Sequence, residues 1–302
     1  MPARELISMR VGVIDVGANT LRLLVAARAA SGLAVVHRER VQLGLGEFIE
    51  QTGAIPPDRI DAAGRAAREQ AASARRLGCS RIDVVVTSPG RQAENADDLV
   101  GSLMRVRGAS VRVLTAAEEA SFAYKGVCAS VDDPPRSIAV CDVGGGSTQI
   151  AVGSCDEEPS WVRSLDVGSL RLTRRALADD SPTSEAIESA RALVEPMFGE
   201  LTPPLPQAAY ATGGSARALG KLVGPHLGAE ELAVALRIVA ERPTRRLAKT
   251  FDLSPARART LAAGALLLVC TQRLLGVPLV VARAGLREGV ALSLLADAAV
   301  AA

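Results

Sequence analysis

Seven consecutive residues, Asp142-Val143-Gly144-Gly145-Gly146-Ser147-Thr148, combine one carboxylate, three glycines and two hydroxyls. Glycines in a row give up backbone entropy and bring no side chain to a core. What they permit is a turn whose bare N–H groups come close to an anion. Ser147 and Thr148 add hydroxyl donors, and such a nest suits phosphate. Asp142 stands at its mouth, where a carboxylate can hold Mg²⁺ or another divalent cation directly or through water. The plainer alternative is an ordinary glycine hairpin. A second segment, Asp15-Val16-Gly17-Ala18-Asn19-Thr20, has the same design. Asp15 offers another carboxylate to a metal, and Gly17, Asn19 and Thr20 offer donors to a terminal phosphate. Alternatively, Asn19 only supports a left-handed turn.

Two further positions could serve the same chemistry. Arg91 follows a strand ending at Thr87-Ser88, at the tip where α/β proteins place ligands. A guanidinium there could clamp a phosphate through charge-assisted contacts, or simply be solvated at a helix start. Glu118-Glu119 opens a helix, where acids favour the helix dipole; either could instead be a general base. Only two histidines occur, His37 and His226. A Ser-His-Asp hydrolase, a histidine metal site or a phosphohistidine carrier would each depend on one of these.

These segments need strands and helices to hold them. Val11–Ile14 and Leu21–Ala27 predict strands around the first turn, followed by a helix over Pro57–Leu77 that starts on proline and ends before Gly78. Strands over Ile82–Val86 and Val111–Leu114 alternate with helices over Gln92–Val106 and Ala117–Val131, which implies βαβ units. Pro134-Pro135 breaks the chain and places a domain boundary there, giving 1–131 and 132–302. The second part repeats the first: Val13-Ile14-Asp15-Val16-Gly17 is echoed by Val140-Cys141-Asp142-Val143-Gly144, each followed by another apolar strand. Helices are expected over Thr183–Phe198, Ala229–Ala240, Ser254–Leu275 and Leu286–Ala299, and strands over Ala208–Thr212 and Leu279–Ala282.

Composition bounds the rest. At about 150 residues per domain, 302 residues suggest two domains. A hydrophobic fraction of 48% excludes a disordered chain. A net charge of +2 is too balanced for a general nucleic-acid coat. Leu261–Cys270 is too short to cross a bilayer, and the first ten residues lack the apolar core of a signal peptide. Five scattered cysteines with no CxxC pair predict reduced thiols and a cytoplasmic location, with neither a disulfide scaffold nor a thiolate zinc site. The apolar C-terminal helices either fill a core, the default, or seal a homodimer.

Taken in order, the segments resemble the exopolyphosphatase / guanosine pentaphosphate phosphohydrolase family within the actin-like/sugar-kinase/chaperone-ATPase superfold. The resemblance rests on Val13 to Arg22, Thr87-Ser88-Pro89-Gly90-Arg91, Ala117-Glu118-Glu119-Ala120, Asp142 to Thr148, Ser164-Leu165 with Gly168 to Leu172, Ala211 to Ser215, and Leu286-Arg287-Glu288-Gly289. It covers nearly the whole chain. It implies a duplicated actin-like (ribonuclease H-like) two-domain α/β fold with an interdomain cleft, in which the final helix, about 286–302, packs back on the first domain. It also implies Glu119 as the base that activates water, Asp15 and Asp142 as organisers of Mg²⁺, and Asn19, Thr20, Arg91, Gly144, Gly145, Gly146, Ser147 and Thr148 as phosphate ligands. Gly213-Gly214-Ser215 occupies the superfold's third nucleotide-contacting turn.

The implied reaction is Mg-assisted attack of water on the terminal phosphorus of inorganic polyphosphate, with Arg171, Arg174 and Arg175 holding the rest of the polyanion. Guanosine pentaphosphate is the alternative substrate. An ATP-dependent kinase and a non-catalytic polyphosphate or alarmone sensor are the readings from other classes. Two departures favour the sensor: Gln149 stands where the family usually has glutamate, and Ala18 replaces a usual serine. The larger members continue into further domains, so the resemblance implies a preference for short chains.

Overall fold

Period-two burial builds the first hairpin. In β1 (Arg10–Val16) and β2 (Thr20–Ala29), Ile14, Val16, Leu21, Leu23 and Val25 all face one core. The chain continues through β3 (Gly32–Gln42), α1 (Leu45–Thr52), α2 (Pro57–Arg76), β4 (Cys79–Val86), α3 (Ser88–Gln92), α4 (Ala96–Met104) and β5 (Ser110–Val113). These strands form a five-stranded sheet in the order β3-β2-β1-β4-β5. The β1–β2 and β2–β3 ladders are antiparallel, and the β1–β4 and β4–β5 ladders are parallel. The alanines of α2 at 63, 67, 71 and 74 close one side of the core. This computed structural model describes residues 9–29 and 32–300; residues 1–8, which the sequence reading searched for a leader, lie outside them.

The next elements are α5 (Ala116–Cys128), β6 (Ile138–Val143), β7 (Thr148–Gly153), β8 (Trp161–Leu165), α6 (Ser169–Ala176), α7 (Ser184–Gly199), β9 (Ala208–Thr212), α8 (Gly213–Val223), β10 (His226–Leu227), α9 (Ala229–Ala240), α10 (Thr244–Thr250), α11 (Pro255–Arg259), α12 (Leu261–Leu275) and β11 (Leu279–Val281). Their sheet runs β10-β11-β9-β6-β7-β8. The β6–β7 and β7–β8 ladders are antiparallel, and the β6–β9 and β9–β11 ladders are parallel. The β1-to-β5 pattern therefore recurs, which makes the fold a duplicated α/β architecture. Strand β6 splits its side chains by parity. Ala139, Cys141 and Val143 pack with α12, while Ile138 and Val140 pack with Ala120, Tyr124 and Val127 of α5. The apolar run Leu261–Cys270 is almost wholly buried in this unit's own core. Among the described residues, no helix is long and apolar enough to cross a membrane.

The chain divides into two compact units. One is 1–115 with 286–302, which includes α13 (Leu286–Val300); the other is 116–285. The sequence reading placed the division at 131/132. The structure divides the chain sixteen residues earlier, because the apolar face of α5 joins the core under β6 and β7. The expected helix over Gln92–Val106 is shorter, Ala96–Met104, and Gln92 instead ends the preceding α3. Between them, Asn95 accepts from Ile55 N and donates to Ile55 O, both at 2.9 Å, and holds the chain out of helical geometry. The expected helix from Ser254 to Leu275 likewise breaks at Thr260. One expectation is overturned: Cys128 and Cys155 form a disulfide with Cα atoms 5.3 Å apart, while Cys79, Cys141 and Cys270 are free. The pair is 27 residues apart in sequence and is joined only because the end of α5 lies beside the loop after β7.

Candidate functional site

Each unit presents one turn between its first two strands, and the two turns close alike. In the first, Gly17 N donates to Thr20 O at 3.0 Å; in the second, Gly144 N donates to Ser147 O at 3.0 Å. The flanking registers match: Asp15 lies opposite Arg22, and Asp142 opposite Gln149.

The carbonyls of both turns are drawn away by the segment that follows the third strand. In the second unit, Ser169 N donates to Gly144 O at 2.9 Å, and Leu170 N and Arg171 N donate to Gly145 O at 2.9 and 3.1 Å. In the first, Gly46 N donates to Ala18 O at 2.7 Å, and Leu43 N and Gly44 N donate to Asn19 O at 3.0 and 3.1 Å. With the carbonyls engaged, the N–H groups of Gly145 and Ser147 find no protein acceptor among the described residues, and neither do those of Ala18 and Asn19. Uncommitted N–H donors around a glycine turn make an anion-binding concavity.

Gly168 makes the second arrangement possible. A Cβ there would lie 2.5 Å from Gly145 O and 2.6 Å from Gly146 N, so only glycine lets the start of α6 approach the turn. Gly213, at φ +91°, plays a comparable part on the other side: a Cβ there would lie 2.5 Å from Asp142 Oδ1. Thus Gly213 opens α8 and leaves room for the Asp142 carboxylate.

Within the second unit, Glu119 is buried at 7% exposure on α5, whereas Glu118 is exposed. Ser147 is buried beside Gln149, whose Nε2 donates to its Oγ at 2.8 Å. The Thr148 hydroxyl is committed elsewhere: it is fully buried and donates to Val167 O at 2.7 Å, so the donor expected of it already serves the protein. Arg171 is also internal, paired with Asp166 Oδ2 at 2.5 Å, while Arg174 and Arg175 lie on the exposed side of α6.

Within the first unit, the Asn19 side-chain oxygen accepts from Gln42 Nε2, and Thr20 Oγ1 accepts from Arg22 Nε at 2.9 Å. Arg91 sits on α3 and donates to Leu114 O at 2.7 Å. Burial pushes the Asp15 carboxyl above its ordinary range; Arg22 and Arg287 pull it back, and Glu288 adds to the rise. Glu288 also accepts from Arg38 at 3.0 Å. The structure therefore groups Asp15, Asn19, Thr20 and Arg91 in one unit, and Asp142, Gly144–Ser147 and Glu119 in the other.

Among the described residues, no three His, Cys, Asp or Glu side chains gather as a metal-holding cluster. Mg²⁺ asks for less from a protein: one or two carboxylates, with water and substrate phosphate completing the shell. Asp142, beside which Gly213 leaves room that a side chain would fill, supplies the hard oxygen donor that such an ion takes. The donor chemistry fits.

Sequence reasoning missed the parts played by Gly168, Arg22 and Gln149. Gly168 carried a usable signal, a lone glycine one residue before a helix that follows the third strand of the repeat.

Comparison with known proteins agrees with this geometry. The chain matches the Ppx/GppA phosphatase family over residues 24–298. It is 31% identical to Exopolyphosphatase 2 of Mycobacterium tuberculosis, over 94% of this chain and 98% of that protein. Exopolyphosphatase 1 of Mycobacterium bovis is 30% identical, over 94% and 88%. The crystal structure of the Ppx/GppA family member from Aquifex aeolicus superposes with a TM-score of 0.82 at 27% identity, over 96% of this chain and 98% of that one. An exopolyphosphatase structure from Cytophaga hutchinsonii, at 19% identity, shares the fold with a TM-score of 0.86 over 96% and 98%. The repeated sheets and these likenesses make the fold actin-like.

Proposed function

The chain belongs to the Ppx/GppA phosphatase family and is a hydrolase, and we propose that it releases terminal orthophosphate from inorganic polyphosphate. The observation that carries this reading is the Gly144–Ser147 turn, whose carbonyls are engaged by the start of α6 while the N–H groups of Gly145 and Ser147 stay uncommitted. The exopolyphosphatases among its relatives supply the substrate class.

In this reading the second turn holds a phosphoryl group through its backbone N–H groups and the Ser147 hydroxyl, a fixed donor set that offsets charge developing on the equatorial oxygens. Asn19, Thr20 and Arg91 are assigned to the phosphates from the first unit. Glu119 accepts the proton of the attacking water. The new P–O bond forms as the bond to the bridging oxygen breaks, and that oxygen leaves on the shortened chain. Burial favours Glu119 over exposed Glu118, because a general base must meet its water inside the site rather than in bulk solvent. Asp142 and Asp15 are each assigned as carboxylate donors to Mg²⁺ or another divalent cation, which when bound would neutralise phosphate charge.

The test is phosphate release from triphosphate and from a panel of longer chains with Mg²⁺, with guanosine pentaphosphate as the comparison. Glu119→Gln should lower kcat about a hundredfold and leave KM within a few-fold. Wild-type turnover in that variant removes Glu119 as the base. Faster release from guanosine pentaphosphate than from any polyphosphate reassigns the substrate.

A further inference from the structure

Gln149 lies in a row of paired residues across the second sheet, between Asp142 on β6 and Ser164 on β8. It is 1% exposed. Its Nε2 donates to Ser147 Oγ at 2.8 Å and to Ser164 Oγ at 3.1 Å, while its Oε1 is buried without a partner. In this orientation both serine hydroxyls accept from the amide, and neither spends its own proton on it.

The direction of these bonds matters for Ser147. A hydroxyl that accepts from an amide N–H keeps its own proton to give away. Ser147 Oγ has no protein acceptor for that proton among the described residues. The first unit shows the same device independently. Thr20, at the matching fourth position of its turn, accepts from Arg22 Nε, and Arg22 lies opposite Asp15 as Gln149 lies opposite Asp142. An arginine side chain has no acceptor, so that bond can run in one direction only. A carboxylate at 149 would reverse the polarity: it could only accept, and Ser147 would turn its proton inward.

We infer that Gln149 is a positioning residue that holds the Ser147 hydroxyl as a hydrogen-bond donor to a bound phosphoryl group. The inference rests on the phosphate-binding reading of the turn and adds to it how one donor is aimed.

The probe is inorganic orthophosphate, which is not turned over, with its Kd measured by calorimetry on the full chain. Losing a donor to a charged oxygen weakens binding about tenfold to a hundredfold. Gln149→Glu should therefore raise Kd about tenfold or more in the wild-type background. In a Ser147→Ala background the same change should cost no more than about threefold, the residue of added negative charge. Equal losses in both backgrounds overturn the proposal, as does tighter binding in Gln149→Glu. If Gln149→Glu does not fold, Gln149→Met replaces it: about a threefold loss is expected with Ser147 present and none without it, and additive losses again overturn the proposal. Wild-type binding weaker than about 10 mM also overturns it. A coupled cycle in a protein that releases nothing from polyphosphate supports the inference and sinks only the substrate reading.

Discussion

Replacing Gly168 with alanine tests whether the start of α6 sets the phosphate-binding turn. The backbone at Gly168, φ −129° and ψ 174°, is extended and open to any residue, so strain in its own dihedrals plays no part. The added methyl would stand 2.5 Å from Gly145 O and 2.6 Å from Gly146 N, against ordinary contact from 3.4 Å. With Gly145 C nearest, at 2.4 Å, something must move by about 1 Å, and all three atoms it meets are turn backbone. A misplacement of about 1 Å in a positioned site costs about a hundredfold in rate. Gly168→Ala should therefore lower kcat/KM for triphosphate roughly thirtyfold to a hundredfold. The assay is initial-rate phosphate release, with circular dichroism to confirm the fold. Gly101→Ala is the control: nothing lies within 4 Å of its added Cβ, and at an exposed position of α4 it should leave the rate unchanged and stabilise slightly. A Gly168→Ala enzyme within threefold of wild type would refute the idea that α6 holds the turn in register.

Three further perturbations follow from the same structure. Gly213→Ala meets both a positive φ and the Asp142 carboxylate at 2.5 Å, so activity should fall by at least about tenfold, read as kcat/KM in the same assay. Asp15→Asn should raise thermal stability at pH 7 while impairing hydrolysis. The folded Asp15 carboxyl titrates above its ordinary 3.8, so its protonated form contributes stability fully below that value, and this is lost as pH rises through the raised one. Melting curves of the variant and wild type should accordingly converge as pH is lowered toward 4, and a gap that widens instead would contradict the sign. Cys128→Ser, or dithiothreitol added to the wild type, removes a cross-link between residues 27 apart, worth about 3.5 kcal/mol of chain entropy. Calorimetry should show the second unit melting about 10 °C lower, with the variant itself insensitive to reductant.

Much of the fold was legible because its signals are local. Buried valine-rich strands and the strand-Asp-Gly repeat mark the centre of each sheet, and Pro57 and Gly78 bracket α2. The outer strand β3 was not legible. Its His37-Arg38-Glu39-Arg40 stretch is polar throughout, alternates exposed with half-buried residues, and is paired on one side only, so no apolar content announces a strand. The prolines at 134 and 135 do mark a break in helical backbone. They carry no information about which core α5 joins, which is decided by Ala120, Tyr124 and Val127 meeting Ile138 and Val140. The disulfide was hidden for the same reason, since spacing along the chain says nothing of packing between α5 and the loop after β7.

The candidate site divides along the same line. Asp142, the glycines and Glu119 were visible as residue types with chemistry. What makes the turn an anion site is a backbone fact: peptide carbonyls withdrawn by a following N-terminus, at α1 in one unit and α6 in the other. That explains why the two turns can differ so much in side chains. Ala18 and Asn19 stand where Gly145 and Gly146 do, yet the closing bond is shared, and so is the withdrawn carbonyl at the second position, Ala18 in one turn and Gly145 in the other. A turn that works through its backbone constrains the residues that approach it more than those within it. Gly168 is therefore a position where a single methyl reaches the backbone of the turn itself.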